Sequence, residues 1–195
     1  MPSFDCVMLA AGASSRMERW KMTLPFGTRT VIEASVGAAL EVCARVILVA
    51  GYRAGELIEL FRGRQRVLPV VNERWAEGMF CSLRCGVQQV RTERFFLSLG
   101  DMPRVGGAVY RVLAAQPAID AVIPKYRGKK GHPLLLSAAV ARAVLARQAS
   151  DGQPEPTLRD VLAELPALTV PVDDPYILKD IDTAEDYRAL AGGLL

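Results

Sequence analysis

Residues 45–50 read Arg-Val-Ile-Leu-Val-Ala, a run with no polar side chain after its first position. A strand with one wet face alternates apolar and polar residues, whereas a strand covered on both faces does not. This run therefore asks for a sheet with helices on each side. Its neighbours agree. Short apolar stretches over 4–9, 66–71, 95–99, 118–124, 133–136 and 168–172 read as strands. Between them, 30–43, 55–61, 78–90, 105–115, 138–147 and 183–190 read as helices, the first carrying Val31, Ala34, Ala38 and Val42 on one face. Strands alternating with helices in this order predict an α/β fold, a three-layer α/β/α sandwich around a mostly parallel sheet. The chain has 195 residues, a length that fits one domain over 1–195. The polar segment 148–156, with two prolines, is expected to be a mobile surface loop.

Composition narrows the function classes. With 51% hydrophobic residues the chain has material for a large core. The net charge of +3 is mild and the basic residues are scattered, so a nucleic-acid face is not indicated. Cys6 and Cys43 sit in or beside apolar runs and read as small core residues. Cys81 and Cys85 lie one helical turn apart, but the chain has a single histidine and no CxxC pair, which argues against zinc. No signal-like segment precedes Phe4 and no apolar run approaches the roughly 18 residues of a membrane span. A reducing cytoplasm is the expected compartment.

The chemistry begins where the first strand stops. Leu9-Ala10-Ala11-Gly12-Ala13-Ser14-Ser15-Arg16-Met17 passes from an apolar run into small residues, then supplies Arg16 and, further on, Lys21. Small side chains let backbone amides approach an anion, and the two cations balance its charge. The plain alternative is an ordinary strand-to-helix connection with solvated charges. GxGxxG and GxxxxGK[ST] are both absent, so the commonest nucleotide motifs are ruled out, as is a GxSxG hydrolase elbow.

Asp101 follows the apolar run at 95–99, in Gly100-Asp101-Met102-Pro103. Ligands of open α/β sheets bind at the carboxyl ends of strands, and Mg²⁺ takes one or two protein carboxylates together with phosphate oxygens. Otherwise Asp101 is a turn residue or helix cap, with Pro103 opening the next helix. In Asp180-Ile181-Asp182-Thr183 the two carboxylates share a face if the stretch is extended. One would complete a metal site while the other caps the last helix, or both serve as caps. Asn72, Trp75, Gly78 and Ser82 form a polar cluster suited to a base or ribose, or simply a helix start packed under Trp75. His132, in Gly131-His132-Pro133, has no Ser or Cys partner pattern and reads as a ligand-facing residue rather than a core one.

Five motifs in order complete a resemblance: Leu9 to Met17 with Lys21; Asn72, Trp75, Gly78, Ser82 and Gly86; Leu99 to Pro103; Gly131 to Pro133; and Asp180 to Tyr187. Together they resemble the nucleotidyltransferases that act on molybdenum cofactor and on sugar phosphates, from Val7 to Tyr187. Leu-Ala-Ala-Gly in place of Leu-Ala-Gly-Gly, and Gly-His-Pro, look like the molybdenum cofactor cytidylyltransferase branch rather than the molybdopterin-guanine-dinucleotide branch. The resemblance implies a Rossmann-like nucleotide-diphospho-sugar transferase fold, Mg²⁺, and CMP transfer from CTP to the terminal phosphate of molybdopterin cofactor, with a molybdoenzyme as a candidate recipient. It also implies roles. Leu9, Ala10, Ala11, Gly12, Ser14 and Ser15 cradle the nucleotide. Arg16 holds the β- and γ-phosphates, and Lys21 the α-phosphate. Asp101 and Asp182 hold the metal, Asn72 and Ser82 line the nucleoside pocket, and His132 faces the acceptor. Arg16, Lys21 and Asp101 would be catalytic.

One position departs from the pattern. Glu18 stands where such loops carry glycine, followed by the bulky Arg19 and Trp20. A carboxylate there repels phosphates unless it points away. The competing readings are therefore a guanylyltransferase or a sugar- or polyol-phosphate nucleotidyltransferase of the same fold, and a non-catalytic nucleotide- or cofactor-binding chaperone. A nicotinamide dehydrogenase is more distant, for lack of GxGxxG.

Overall fold

The computed structural model describes residues 4–147 and 155–192. The loop expected at 148–156 falls mostly on 148–154, outside the described residues.

The apolar run at 45–50 is β4 (Arg45–Ala50), and Val46 to Ala50 are all completely buried. It pairs in parallel with β1 (Asp5–Ala10) on one side and β5 (Val67–Val71) on the other. On the far side of β1 lies β6 (Arg94–Leu99), again parallel, with Leu9 opposite Leu99. Then the direction reverses. β9 (Leu134–Ser137) runs antiparallel between β6 and β7 (Ala121–Tyr126), and β10 (Ala167–Pro171) pairs in parallel with β7. With the two-residue β8 (Lys129–Lys130) against β7, the sheet has eight strands. The mostly parallel α/β sandwich is as expected.

Side chains alternate across β1. Cys6, Met8 and Ala10 join one core layer, Val7 and Leu9 the other. α1 (Val31–Leu40), α2 (Ala54–Leu60) and α4 (Gly107–Ala114) cover the first face. α3 (Met79–Val87), α5 (Ala138–Ala146) and α6 (Leu158–Leu162) cover the second. A third, smaller cluster holds α7 (Ala184–Ala191) against the hairpin β2–β3 (Pro25–Phe26 and Arg29–Thr30), through Phe26, Ile181 and Leu190. Each fully buried Leu, Ile, Val or Phe contributes roughly 1.5–3 kcal/mol, so the two main layers dominate stability.

Helix ends explain most boundary differences. α1 starts later than residue 30 because Thr30 is its N-cap, in a reciprocal box with Glu33. The helix expected over 78–90 is α3, which begins at Met79 because Gly78, its N-cap, sits at φ +117; a short 3-10 turn, Trp75–Glu77, precedes it. Few residues other than glycine adopt that angle. Pro103 opens no helix, since α4 is capped by Gly106. Neither Asp180 nor Asp182 caps α7: Thr183 does, paired with Asp186.

Candidate active site

Three parallel strands, β1, β4 and β6, end at one edge of the sheet, and the loops leaving β1 and β6 meet there. Gly100 makes that meeting possible. Its amide donates to the Leu9 carbonyl (2.9 Å), and a β-carbon at this position would lie 2.7 Å from Ile32 Cδ1. The loop after β1 is tied down at several points. The Ala11 carbonyl accepts from Tyr52 N–H (3.0 Å), the Gly12 carbonyl accepts from Trp20 Nε1 (3.1 Å), and Ser14 Oγ accepts from Lys21 N–H (3.3 Å). Ser14 itself sits at φ 55, a left-handed conformation rare for a residue with a β-carbon. Trp20 packs edge-on to Tyr52, and Tyr52 to Trp75. The bulky residue that departed from the pattern is therefore a buttress behind the loop. Glu18 and Arg19 are exposed and lie outside the cavity the loop encloses.

That cavity has a volume of about 600 Å³. Leu9, Ala10, Ala11, Gly12, Ser14, Ser15, Arg16, Lys21, Ser82, Asp101 and Asp182, all singled out in the sequence, line it together. Trp75, Ala76, Met79, Met22 and Asp180 line it too. Of these, Met79 carries a signal that sequence reading passed over, a large apolar side chain 66% exposed just after a glycine.

At its floor is a charged cluster. Lys21 Nζ lies 2.6 Å from Asp101 Oδ2 and 3.2 Å from Asp182 Oδ1, while Arg16 lies 2.6 Å from Asp182 Oδ2. Burial pushes the Lys21 ammonium toward neutrality, but the two carboxylates outweigh it and raise its pKa above the usual lysine value. Burial likewise works upward on Asp182, yet Lys21 and Arg16 carry it below the ordinary aspartate range. Asp180 moves the other way, raised by burial and by the charges of Asp182 and Asp101. The chain brings these groups together through one backbone hydrogen bond, from Ile181 N–H to the Asp101 carbonyl (3.0 Å). Ile181 is fully buried, so the residues on either side both turn toward Asp101. One oxygen from each of Asp101, Asp180 and Asp182 lies within 4.8 Å of the others.

Asp101 Oδ1 is buried and has no hydrogen-bond partner among the described residues. A buried, unpaired carboxylate oxygen is costly to leave so, and a cation would satisfy it. All-oxygen donors at this spacing suit a hard divalent ion.

Two expected residues sit elsewhere. Asn72 is buried behind the cavity; its Nδ2 donates to Ser82 Oγ (3.0 Å) and its Oδ1 accepts from Arg74 N–H (3.0 Å), so it reaches the cavity only through Ser82. His132 lines a neighbouring cavity of about 690 Å³, which shares Leu9, Gly78, Met79 and Leu99 with the first. Its ring is mostly buried and its pKa lowered by that burial, against the opposing pull of the Leu97 backbone and of Asp180. Among the described residues, no helix is long and apolar enough to cross a membrane.

A small-residue loop facing a carboxylate-bound lysine at the carboxyl edge of a parallel sheet defines a nucleotide-handling α/β protein. Residues 6–179 match the model of the MobA-like NTP transferase domain, and the chain belongs to that nucleotidyltransferase family. It is 35% identical to the molybdenum cofactor cytidylyltransferase of Escherichia coli (strain K12) over 188 residues, 96% of this chain and 95% of that protein. Its fold is similar to that of a nucleotidyl transferase from Methanothermobacter, with TM-score 0.83, 28% identity, and 98% of this chain and 97% of that one covered. It is also similar to a Mycobacterium tuberculosis protein solved in complex with manganese, with TM-score 0.77, 27% identity, and 98% and 99% covered.

Proposed function

We propose that this chain transfers CMP from CTP to the terminal phosphate of molybdopterin cofactor, releasing pyrophosphate. The observation that carries the reading is the Lys21–Asp101–Asp182 cluster, with its unpaired Asp101 oxygen, at the foot of the small-residue loop. The likeness to the Escherichia coli cytidylyltransferase over nearly the whole chain supports the choice of nucleotide and acceptor.

In this reading an acceptor phosphate oxygen attacks the α-phosphorus in line and the α–β bridging bond breaks, so the protein's work is positioning and charge stabilisation. The amides of Ala11 to Ser15 close on the triphosphate, where bulkier side chains would hold it off. Arg16 meets the β- and γ-phosphates, whose charge grows as pyrophosphate leaves. Lys21, kept cationic by its two carboxylates, faces the α-phosphate and the charge that develops there. Ala10 and Ala11 leave room for the nucleoside, and Ser82, oriented by Asn72, offers it a hydroxyl. Asp101 and Asp182, with Asp180 beside them, would hold Mg²⁺. A bound divalent ion supplies Lewis-acid neutralisation of the phosphate oxygens. That the Mycobacterium tuberculosis relative was solved in complex with manganese supports dependence on a divalent metal. His132 stands on the acceptor side. Free thiols at Cys6, Cys43, Cys81 and Cys85 suit a reducing cytoplasm.

Thermal melting with CTP, GTP, ATP and UTP, each with and without Mg²⁺, tests the nucleotide, since a ligand that binds only the folded state raises the melting temperature. A shift with CTP and Mg²⁺, followed by pyrophosphate release on adding molybdopterin cofactor, is the expected result. A larger shift with GTP would move the reading to guanylyl transfer. Binding without pyrophosphate release would make the protein a carrier.

A further inference from the structure

Cys81 and Cys85, one helical turn apart on α3, both line a further cavity of about 500 Å³. It shares a partition with the nucleotide cavity. Along the 3-10 turn, Trp75 and Ala76 line the nucleotide side, while Arg74 and Glu77 line the other. Along α3, Met79 and Ser82 line the nucleotide side, and Phe80 and Cys81 the other. A short chain of contacts crosses the partition. Cys81 Sγ donates to Asn72 Oδ1 (3.6 Å), and Asn72 Nδ2 donates to Ser82 Oγ (3.0 Å). Asn72 Oδ1 also accepts from the Arg74 amide (3.0 Å), so one side chain ties together Cys81, Ser82 and the turn. The charges around the thiols are of both signs, the guanidiniums of Arg74 and Arg84 and the carboxylates of Glu77 and Glu155. The other two thiols, Cys6 and Cys43, are 0% and 1% exposed, which closes them to reagents in the folded chain. Burial, with Cys81 beside it, pushes the Cys85 thiol up and makes Cys85 the poorer source of thiolate.

We propose that Cys81 is a modification site: it exchanges with the disulfide of a small zwitterionic thiol of the glutathione class, and the adduct disables the nucleotide cavity across the partition. The exchange needs no oxidant beyond that disulfide. Cys81 gives up its proton and attacks one sulfur. The new S–S bond forms as the old one breaks, and the departing sulfur takes the bonding pair and a proton to become the free thiol. A thiol that bears carboxylates and an ammonium finds a counter-charge for each in this cavity. The adduct removes the S–H that Asn72 accepts and crowds the turn that Arg74 and Glu77 pin by their ion pair. Asn72 then no longer orients Ser82, and Trp75 moves with the turn. The inference rests on a nucleotide occupying the cavity of about 600 Å³, and not on which nucleotide or which acceptor.

The test compares reduced protein with protein treated with excess oxidised glutathione. Adducts are mapped by mass, and nucleotide binding is read as the melting-temperature shift given by CTP with Mg²⁺. One adduct on Cys81 is expected, with none on Cys6 or Cys43. It should lower the apparent affinity for CTP by about tenfold or more, the equivalent of roughly one hydrogen bond to the ligand, and dithiothreitol should restore it. Cys81→Ser, whose hydroxyl replaces the thiol as donor to Asn72, should keep the CTP shift before and after treatment. Cys85→Ser should respond like wild type. Neutral hydroxyethyl disulfide should modify Cys81 more slowly than oxidised glutathione does. The proposal is overturned by an adduct on Cys85 in place of Cys81, by no adduct at all, by equal rates with the neutral disulfide, or by a Cys81→Ser protein that loses the shift on treatment. Loss of cooperative melting with the adduct overturns it too, since that is unfolding rather than coupling. A CTP shift that survives full modification of Cys81 overturns the coupling alone. A reduced protein that ignores CTP, GTP, ATP and UTP alike overturns the nucleotide reading, and the coupling with it.

Discussion

Lys21 and Asp101 face each other at 2.6 Å, the lysine side chain 10% exposed and the aspartate 15%. They are eighty residues apart in sequence and come from the loops after two adjacent strands. An ion pair so shielded is expensive to assemble, and breaking it by removing one partner strands the other. Its position at the ligand edge of the sheet argues that it is kept for chemistry rather than for stability.

Lys21→Ala should therefore lower kcat for pyrophosphate release by about 10²-fold or more, the range seen when one charge-stabilising donor is lost. It should leave binding of Mn²⁺ intact or tighter, because Asp101 and Asp182 lose a competing cation. A fall in turnover of less than about threefold would remove Lys21 from the reaction.

Asp101→Asn should abolish metal-dependent turnover while the protein still melts cooperatively. Activity titrated against Mg²⁺ and Mn²⁺ is the measurement. An unchanged metal optimum would take Asp101 out of the metal site.

Acid stability should depend on a second buried carboxylate. Asp5 accepts from Arg45 Nε (2.7 Å) and from the Arg91 amide (2.7 Å). Burial raises its pKa, but these partners together bring it below the ordinary 3.8. A carboxylate depressed in the folded state gives its full stabilisation above the unfolded value and loses it as pH falls through the folded one. The loss should thus fall below pH 3.8. Asp5→Asn should cost on the order of 1.5–3 kcal/mol at neutral pH, the worth of a hydrogen bond to a charged group, and should flatten the acid limb of a melting-temperature profile.

Gly86→Ala should destabilise by about 1–3 kcal/mol, as overpacking does. A β-carbon there would stand 2.4 Å from Val7 Cγ1 and 2.8 Å from Val49 Cγ2, forcing α3 away from the sheet. Since α3 carries Ser82, the KM for nucleotide should rise with the loss of stability. Urea unfolding and steady-state kinetics on one preparation would reveal whether the two move together.

Glu18→Gly should change kcat/KM by less than about threefold, because a solvent-exposed charge is screened by salt. The side chain is exposed and outside the cavity. A large gain in activity would mean that the loop swings Glu18 inward when substrate binds.

The legible parts of this fold were those with a strong local pattern. The apolar run of β4 and the small residues after β1 have few other uses, and they locate the sheet and the edge where its loops gather. The shared face of Asp180 and Asp182 was readable because Ile181 between them had to be buried. The antiparallel course of β9 was not, because Leu134-Leu135-Leu136 reads the same in either direction. The hairpin of β2 and β3 was not, because two-residue strands are too short to show a period. Asn72 misled for a different reason. An asparagine after a strand looks exposed, and only tertiary structure reveals that Ser82 and the Arg74 amide satisfy it in the interior.

The backbone amide of Asp182 donates to Asp186 in the first turn of α7, and that helix is clamped by Leu190 to the hairpin. Among the described residues, all ten strands are complete by Pro171. A chain cut after Leu178 would thus keep every described strand of the sheet, yet lose two of the three carboxylates that cluster at the cavity. The tail of this protein works as a latch pin: it adds no strand to the sheet, but it sets where the charges stand.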